Sequence, residues 1–354
     1  MNEQAQHSRT GPPAPDNILV NGTHINAEGG GKYAKINVVK GKKYRLRLIN
    51  TSVDSVFSVS MDKHPFTVIT SDFVPIQPYV TDQITMNIGQ RYDVIINANQ
   101  TVDNYWFRVS VGCGRNNIQA SGLQIGAILS YSGAPAANPT STTNVTMRTT
   151  CIDEQPLTPF VSNRVPFSVL PSARELALNS FVNESENALF RWTLDGSTQV
   201  VNWETPSLQT TLEGKSNYGE NSNIHEMSNK DGWYLWWIQT TTEVSLPHPI
   251  HLHGHDFYIL GSGTGTWEQD NDGLNFDNPT RRDTATLPAK GYLLLAFPAD
   301  NPGLWVMVCS TSPFPNPALL ASISFSPSSS PLLSPVHIHF TCLRSHVSGS
   351  LYLT

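Results

Sequence analysis

Four of the chain's eleven histidines fall within eight residues, His248-Pro249-Ile250-His251-Leu252-His253-Gly254-His255. Imidazole is the commonest protein metal ligand and suits copper, zinc and iron. The run lies between Glu243-Val244-Ser245-Leu246 and Phe257-Tyr258-Ile259-Leu260, which predicts strand, corner, strand. Side chains of a strand alternate between its two faces. His251, His253 and His255 then share one face. His248 has the opposite parity, with Pro249 interrupting the ladder between them. One short segment could thus ligate two different metal centres, one on each side. A histidine-rich surface turn and a stray zinc site are the plainer alternatives. This density between two apolar flanks argues against both.

The rest of the chain is read for the scaffold that carries this run. A length of 354 residues suggests two domains, or three small ones. Hydrophobic residues make up 39% and charged residues 14%, which allows sizeable cores. A net charge of -6 and a pI near 6.0 argue against nucleic acid or an anionic membrane as partner. No apolar run approaches the length of a membrane helix. The 24 Gly and 25 Pro favour short strands and turns over helices. Residues 1–16 form a polar, Pro-rich tail without a signal-peptide core. Yet glycosylation sequons stand at Asn21, Asn50, Asn99, Asn144 and Asn183. The conflict predicts a natural N-terminus further upstream.

Residues 17–133 read as an all-β domain. Tyr44, Leu46 and Leu48 alternate with Arg45 and Arg47. Tyr92, Val94 and Ile96 follow the same period of two, as do Tyr105, Phe107, Val109 and Val111. Gly29-Gly30-Gly31 and Gly112-Cys113-Gly114 punctuate them, which indicates a sandwich or barrel. Residues 134–165, rich in Ala, Pro, Asn and Thr, read as a linker. Residues 166–354 read as a second β domain. Its clearest strands are Phe190-Arg191-Trp192-Thr193, Trp233 to Ile238 and Tyr292 to Phe297. The Trp cluster reads as core. Asp270-Asn271-Asp272-Gly273 lacks calcium-loop spacing and reads as a turn.

The run His248 to His255, continued by Asp256-Phe257-Tyr258-Ile259-Leu260-Gly261, resembles a copper-binding motif of multicopper oxidases. Asn278-Pro279-Thr280-Arg281-Arg282-Asp283-Thr284-Ala285-Thr286-Leu287-Pro288 is similar to fungal laccases of the ascomycete type. Asp16 to Thr23 and Gly89 to Val94 resemble their second cupredoxin domain, which carries no copper ligand. The resemblance covers roughly residues 12–307. It implies two cupredoxin-like Greek-key β-sandwich or barrel domains, the family's second and third. It also implies copper as cofactor, a small phenolic substrate with dioxygen, and an extracellular location. His248 is the implied type-1 copper ligand, His251 the type-2 ligand and His253 a type-3 ligand. His255 is left unassigned, and His24 and His64 read as structural or surface residues. Cys113 and Cys151 lack the C-x-x-C spacing of a zinc or redox site. The resemblance implies a disulfide between them, which requires Cα atoms roughly 4.4–6.8 Å apart.

The chain also departs from the family. Where the pattern has His-Cys-His, it reads Val308-Cys309-Ser310. Cys309 stands at the type-1 cysteine position, and both flanking ligands are absent. Residues 310–335 hold nine Ser, six Pro and no charge, which reads as low complexity without a period. His346 and Leu351 resemble the last type-1 histidine and its axial leucine. Cys342 is one residue short of the family spacing, and His337-Ile338-His339 is out of register. Residues 308 to about 345 therefore read as an insertion, either translated intron or genuine disordered sequence. Before residue 248 only His7, His24, His64 and His225 occur, none paired, so the H-x-H motifs of a first cupredoxin domain are missing. These departures set a phenol-oxidising laccase-like enzyme, here incomplete and inactive, against a non-catalytic copper-binding remnant. A third reading is an oxidase of ferrous iron or ascorbate.

Overall fold

A computed structural model describes the chain apart from residues 1–17, 27, 53–54, 113–122, 184–188, 200–201, 220–221, 228, 230, 241–245, 310–320, 326–348 and 354. Of residues 181–183, 189–191, 321–325 and 349–353 it describes the backbone alone. Two compact units emerge, each an antiparallel-rich sandwich of a six-stranded and a five-stranded sheet. Among the described residues, helix is confined to a 3-10 segment at Phe167–Ser172 and an α-helix at Ser207–Leu212. The fold is the cupredoxin-like β-sandwich. No helix among the described residues is long and apolar enough to cross a membrane.

The first unit's six-stranded sheet runs in the order Ile18–Val20, Gly349–Leu353, Lys43–Asn50, Arg91–Asn97, Phe66–Ser71, Val74–Thr81. Its partner sheet runs Lys35–Val38, Gly126–Tyr131, Asn104–Val111, Phe57–Met61, Gln83–Met86. The alternation in Lys43–Asn50 is the reason for its face: Leu46 and Leu48 are buried while Lys43, Arg45 and Arg47 face water. Phe57, Val59, Phe66, Val94 and Phe107 join them in one core. Each such side chain contributes roughly 1.5–3 kcal/mol when taken out of water.

The second unit repeats the plan. One sheet runs Leu189–Leu194, Arg174–Asn183, Trp233–Thr240, Gly291–Pro298, Phe257–Thr264, Thr280–Arg282. The other runs Ile224–Met227, Ala321–Phe325, Trp305–Cys309, His248–Leu252, Thr284–Leu287. Trp236 and Trp237 are buried, so the Trp cluster is core.

Three expectations change. The compositional linker 134–165 is a strap over the first unit up to residue 161. Ser141 Oγ donates to Asp62 Oδ2 at 2.6 Å, and Thr85 N donates to Glu154 Oε1 at 2.6 Å. Polar composition reads as loop, but these side chains satisfy buried partners. The low-complexity stretch supplies the strand Ala321–Phe325, paired on both edges. Its apolar and Ser residues alternate for five positions only, too briefly to stand out from the surrounding Ser and Pro. Finally, Gly349–Leu353 does not complete the second unit. It fills the slot between Ile18–Val20 and Lys43–Asn50 in the first, with Leu351 level with Val20 and Asn50. A five-residue strand pairs wherever two backbone edges are open, and this slot offers both.

Candidate metal centre

The histidine run folds as strand and corner. The strand is His248–Leu252, and the next begins at Phe257. Pro249 does not interrupt it; Pro249 pairs with Thr286 inside the ladder. The corner turns at Gly254, whose φ is +69°. A Cβ there would lie 2.4 Å from the Trp305 ring, so the position requires glycine on both counts.

Alternation divides the histidines as parity predicts. His248 is 1% exposed and lies among the core residues. Ile250 pairs with Cys309 on the neighbouring strand, and His248 Nδ1 sits 3.1 Å from Cys309 Sγ. Cys309 is a buried reduced thiol. The edge of Trp192 packs on His248 with ring centroids 4.6 Å apart. Nothing in the sequence marked Trp192 beyond its place in a strand.

On the other face, His251 and His253 approach with ring centroids 4.9 Å apart. They line a cavity of about 690 Å³ together with His255, Asp283, Arg281 and Trp305. His251 Nδ1 donates to the Asp283 carbonyl at 2.8 Å, with Thr284 Oγ1 at 3.1 Å. That bond fixes the tautomer, so Nε2 carries the lone pair. Asp283 and Thr284 lie within the 278–288 motif, but their role needed the pairing of two strands. His253 is anchored by its own N–H to the Val306 carbonyl at 2.9 Å. Burial, then the neighbouring His251, push its pKa below the usual imidazole value, with Asp283 opposing. The ring is therefore neutral at pH 7, as a metal ligand must be. His255 is buried against Phe297 and Trp305, and Nδ1 donates to the His253 carbonyl at 3.2 Å. Burial lowers its pKa also, against the opposing pull of that carbonyl, Asp300 and Asp256.

The donor set fits copper on one face and not on the other. His248 and Cys309 bring imidazole and thiol together, the pair that a blue-copper site uses once the thiol is ionised. On the cavity face, Val308 pairs with His251, so an aliphatic side chain stands where the resemblance expects a ligand. No group of three or more His, Cys, Asp or Glu among the described residues could hold a metal. His346 lies outside the described residues, as do Ser310, His337, His339 and Cys342. Leu351 belongs by its backbone pairing to the first unit's sheet. Cys151 is disulfide-bonded, and its expected partner Cys113 lies outside the described residues. His64 is buried and hydrogen-bonded, His24 is half-buried against Tyr33, and His225 is buried against Trp236.

Comparison with known proteins agrees with this geometry. Two family models, both described as multicopper oxidase, match residues 1–134 and 189–318. Laccase-3 of Botryotinia fuckeliana is 46% identical over 327 residues, covering 87% of this chain and 71% of that protein. A laccase of Neurospora crassa is 41% identical, covering 86% of this chain and 50% of its own length. The solved laccase of Botrytis aclada matches with a TM-score of 0.73 at 35% identity, over 88% of this chain and 54% of that one. Fet3p, a multicopper oxidase that functions in iron import, shares the fold with a TM-score of 0.68 at 19% identity. The chain thus spans about half the length of several relatives it matches. On sequence and on fold, it belongs to the multicopper oxidase family.

Proposed function

We propose that the chain supplies the second and third cupredoxin units of a laccase-type oxidase acting outside the cell. In this reading phenolic substrates lose one electron each and dioxygen is reduced to water. The observation that carries it is the 3.1 Å approach of His248 Nδ1 to Cys309 Sγ within a buried core. Copper bound there supplies a one-electron oxidant. The protein's part is to present the two donors already desolvated. Trp192 holds the His248 ring, and Ile250, Leu252 and Met307 exclude water around Cys309. On the cavity face, the Asp283 carbonyl orients His251 for ligation through Nε2. The step to dioxygen is not assigned to this chain, because Val308 faces His251.

A second reading, a non-catalytic copper-binding remnant, is favoured by that same Val308. Ferrous iron and ascorbate as substrates gain nothing from a likeness to Fet3p that reaches the fold alone. The deciding measurement is copper per chain by elemental analysis, alongside oxygen uptake with a simple phenol. The chain by itself should bind at most one copper tightly and consume no oxygen. Its colour should be weak, because His346 must return to complete the type-1 set. Three or four tightly bound coppers with turnover would overturn the assignment. Restoring His at positions 308 and 310, removing the low-complexity residues outside the strand Ala321–Phe325 and adding a first cupredoxin domain should together give turnover.

A further inference from the structure

The five sequons are not equivalent once folded. Asn50 is 1% exposed. Its Nδ2 donates to the carbonyls of Ser55 at 2.9 Å and Met86 at 3.0 Å. Its Oδ1 accepts from Ser52 N at 3.0 Å and from Ser52 Oγ at 2.7 Å. Ser52 is the sequon's own hydroxyl residue. Its backbone is used as well, with Asn50 N donating to the Gln90 carbonyl and Gly89 N to the Asn50 carbonyl. Every hydrogen-bonding position of this amide is thus filled inside the first unit. A sugar on Nδ2 would remove at least one of those bonds and place a polar bulk within the core.

Three other sequons have an exposed Asn. Asn21 is exposed at the tip of a tight turn, with φ +49° at Asn21 and +72° at Gly22. Reciprocal backbone bonds between Val20 and Thr23, at 3.0 and 3.1 Å, close that turn. Asn99 is exposed at a strand end, and among the described residues its amide is held through Oδ1, by Gln100 Nε2 at 2.9 Å. Asn144 is exposed on the strap, with no side-chain hydrogen bond among the described residues. The side chain of Asn183 lies outside the described residues.

We propose that Asn21, Asn99 and Asn144 are N-glycosylation sites and that Asn50 is a structural amide, bare in folded protein. The reaction joins Nδ2 to the anomeric carbon of an oligosaccharide carried on a lipid pyrophosphate. The anomeric C–O bond breaks, the lipid pyrophosphate leaves, and Nδ2 loses one proton. Transfer happens on a chain not yet folded, so burial acts by selection. A chain modified at Asn50 cannot close the first unit.

The test secretes the full chain from a glycosylating yeast behind an added leader. Peptides are read by mass spectrometry after enzymatic deglycosylation in heavy-oxygen water, which labels each formerly occupied Asn. Occupancy at two or three of the open sites, with Asn50 unlabelled, is expected. Label at Asn50 in protease-resistant protein, or occupancy at fewer than two open sites, overturns the assignment. Should the chain be retained in the cell, its protease-resistant microsomal fraction is read the same way. An independent arm uses bacterial protein, which carries no glycan. Asn50→Asp should lose several degrees of melting temperature or fail to fold, whereas Asn99→Asp and Asn144→Asp should melt with the parent. Equal melting of Asn50→Asp and Asn144→Asp would sink the structural role.

Discussion

The corner after Phe57–Met61 in the first unit and the corner after His248–Leu252 in the second match residue for residue. Met61 pairs with Phe107 and Val59 with Val109; Leu252 pairs with Met307 and Ile250 with Cys309. Asp62 N donates to the Trp106 carbonyl as His253 N donates to that of Val306, both at 2.9 Å. In this alignment Phe57 stands for His248, Val109 for Cys309, Asp62 for His253 and Arg108 for Val308. Where the second unit carries the candidate copper donors, the first unit therefore has apolar packing on one face and an ion pair on the other. Arg108 Nε and Nη2 reach Asp62 Oδ1 and Oδ2 at 2.6 and 2.7 Å. His64 stands for His255, and each Nδ1 donates to the carbonyl two residues back. The last histidine of the run therefore belongs to the fold: a unit without copper donors keeps its counterpart. One backbone frame tolerates a metal set or a closed ion pair, provided that the buried polar groups are satisfied.

The largest expected effect comes from opening the closed corner. Arg108→Val, which imitates position 308, leaves the Asp62 carboxylate buried and unpaired. It should cost the first unit about 3–5 kcal/mol, read by chemical denaturation. A loss below 1 kcal/mol would mean that the two corners are not closed by different means.

The next effect is electrostatic and separates the units by pH. Burial, with Arg174 adding to it, pushes the His225 pKa down to about 3 in the second unit. The unfolded state takes up the proton near the ordinary value and the folded state does not. The contribution is therefore fully present above about pH 6.5 and is lost as pH falls toward 3. Between pH 6.5 and 4 the loss should be roughly 3 kcal/mol, at about 1.4 kcal/mol per pKa unit. His225→Phe should flatten that slope in a denaturation series. An unchanged slope would remove His225 as its source.

Glycine at the corner gives a sharper contrast of smaller size. Lys63 occupies the same left-handed conformation, φ +63°, with its ammonium 5.8 Å from the Tyr105 ring. Gly254 instead abuts Trp305. Gly254→Ala should cost roughly 2–3 kcal/mol, while Lys63→Gly should be nearly neutral. Comparable losses on thermal melting would contradict the crowding at Trp305. Smallest is the pair of corner histidines. His64 also bonds Tyr131 Oη at 2.7 Å through Nε2. His64→Phe should therefore cost about 1–2 kcal/mol, as expected for two buried hydrogen bonds. His255→Phe should cost about 1 kcal/mol, with the reverse ranking counting against equivalent corners.

Much of the frame was legible because its signals are local. Period-two alternation located Lys43–Asn50, Arg91–Asn97 and Asn104–Val111, and a continuous apolar run located Gly291–Pro298. Parity alone placed His248 on one face and His251 on the other. The same motif pointed to copper, and Val308 was legible as a missing ligand. The partner of Asp62 was not legible, because Arg108 lies 46 residues away and meets it only after two strands pair. The Asp283 carbonyl that orients His251 was invisible for the same reason, at a separation of 32. The strand Ala321–Phe325 was masked by its Ser- and Pro-rich setting.

The sequence by itself determined two all-β units, the face each histidine takes, and the chemical identity of the candidate donors. Those follow from side-chain alternation and residue chemistry, which act over a few positions. Only the tertiary structure decided which donors meet. It brought Cys309 and His248, which the resemblance had assigned to one site, to 3.1 Å and closed the strap over Asp62. It seated Gly349–Leu353, with Leu351, in the first unit's sheet. Strand pairing is indifferent to side-chain identity at its ends and is settled by which backbone edges remain open, a property of the assembled sheet.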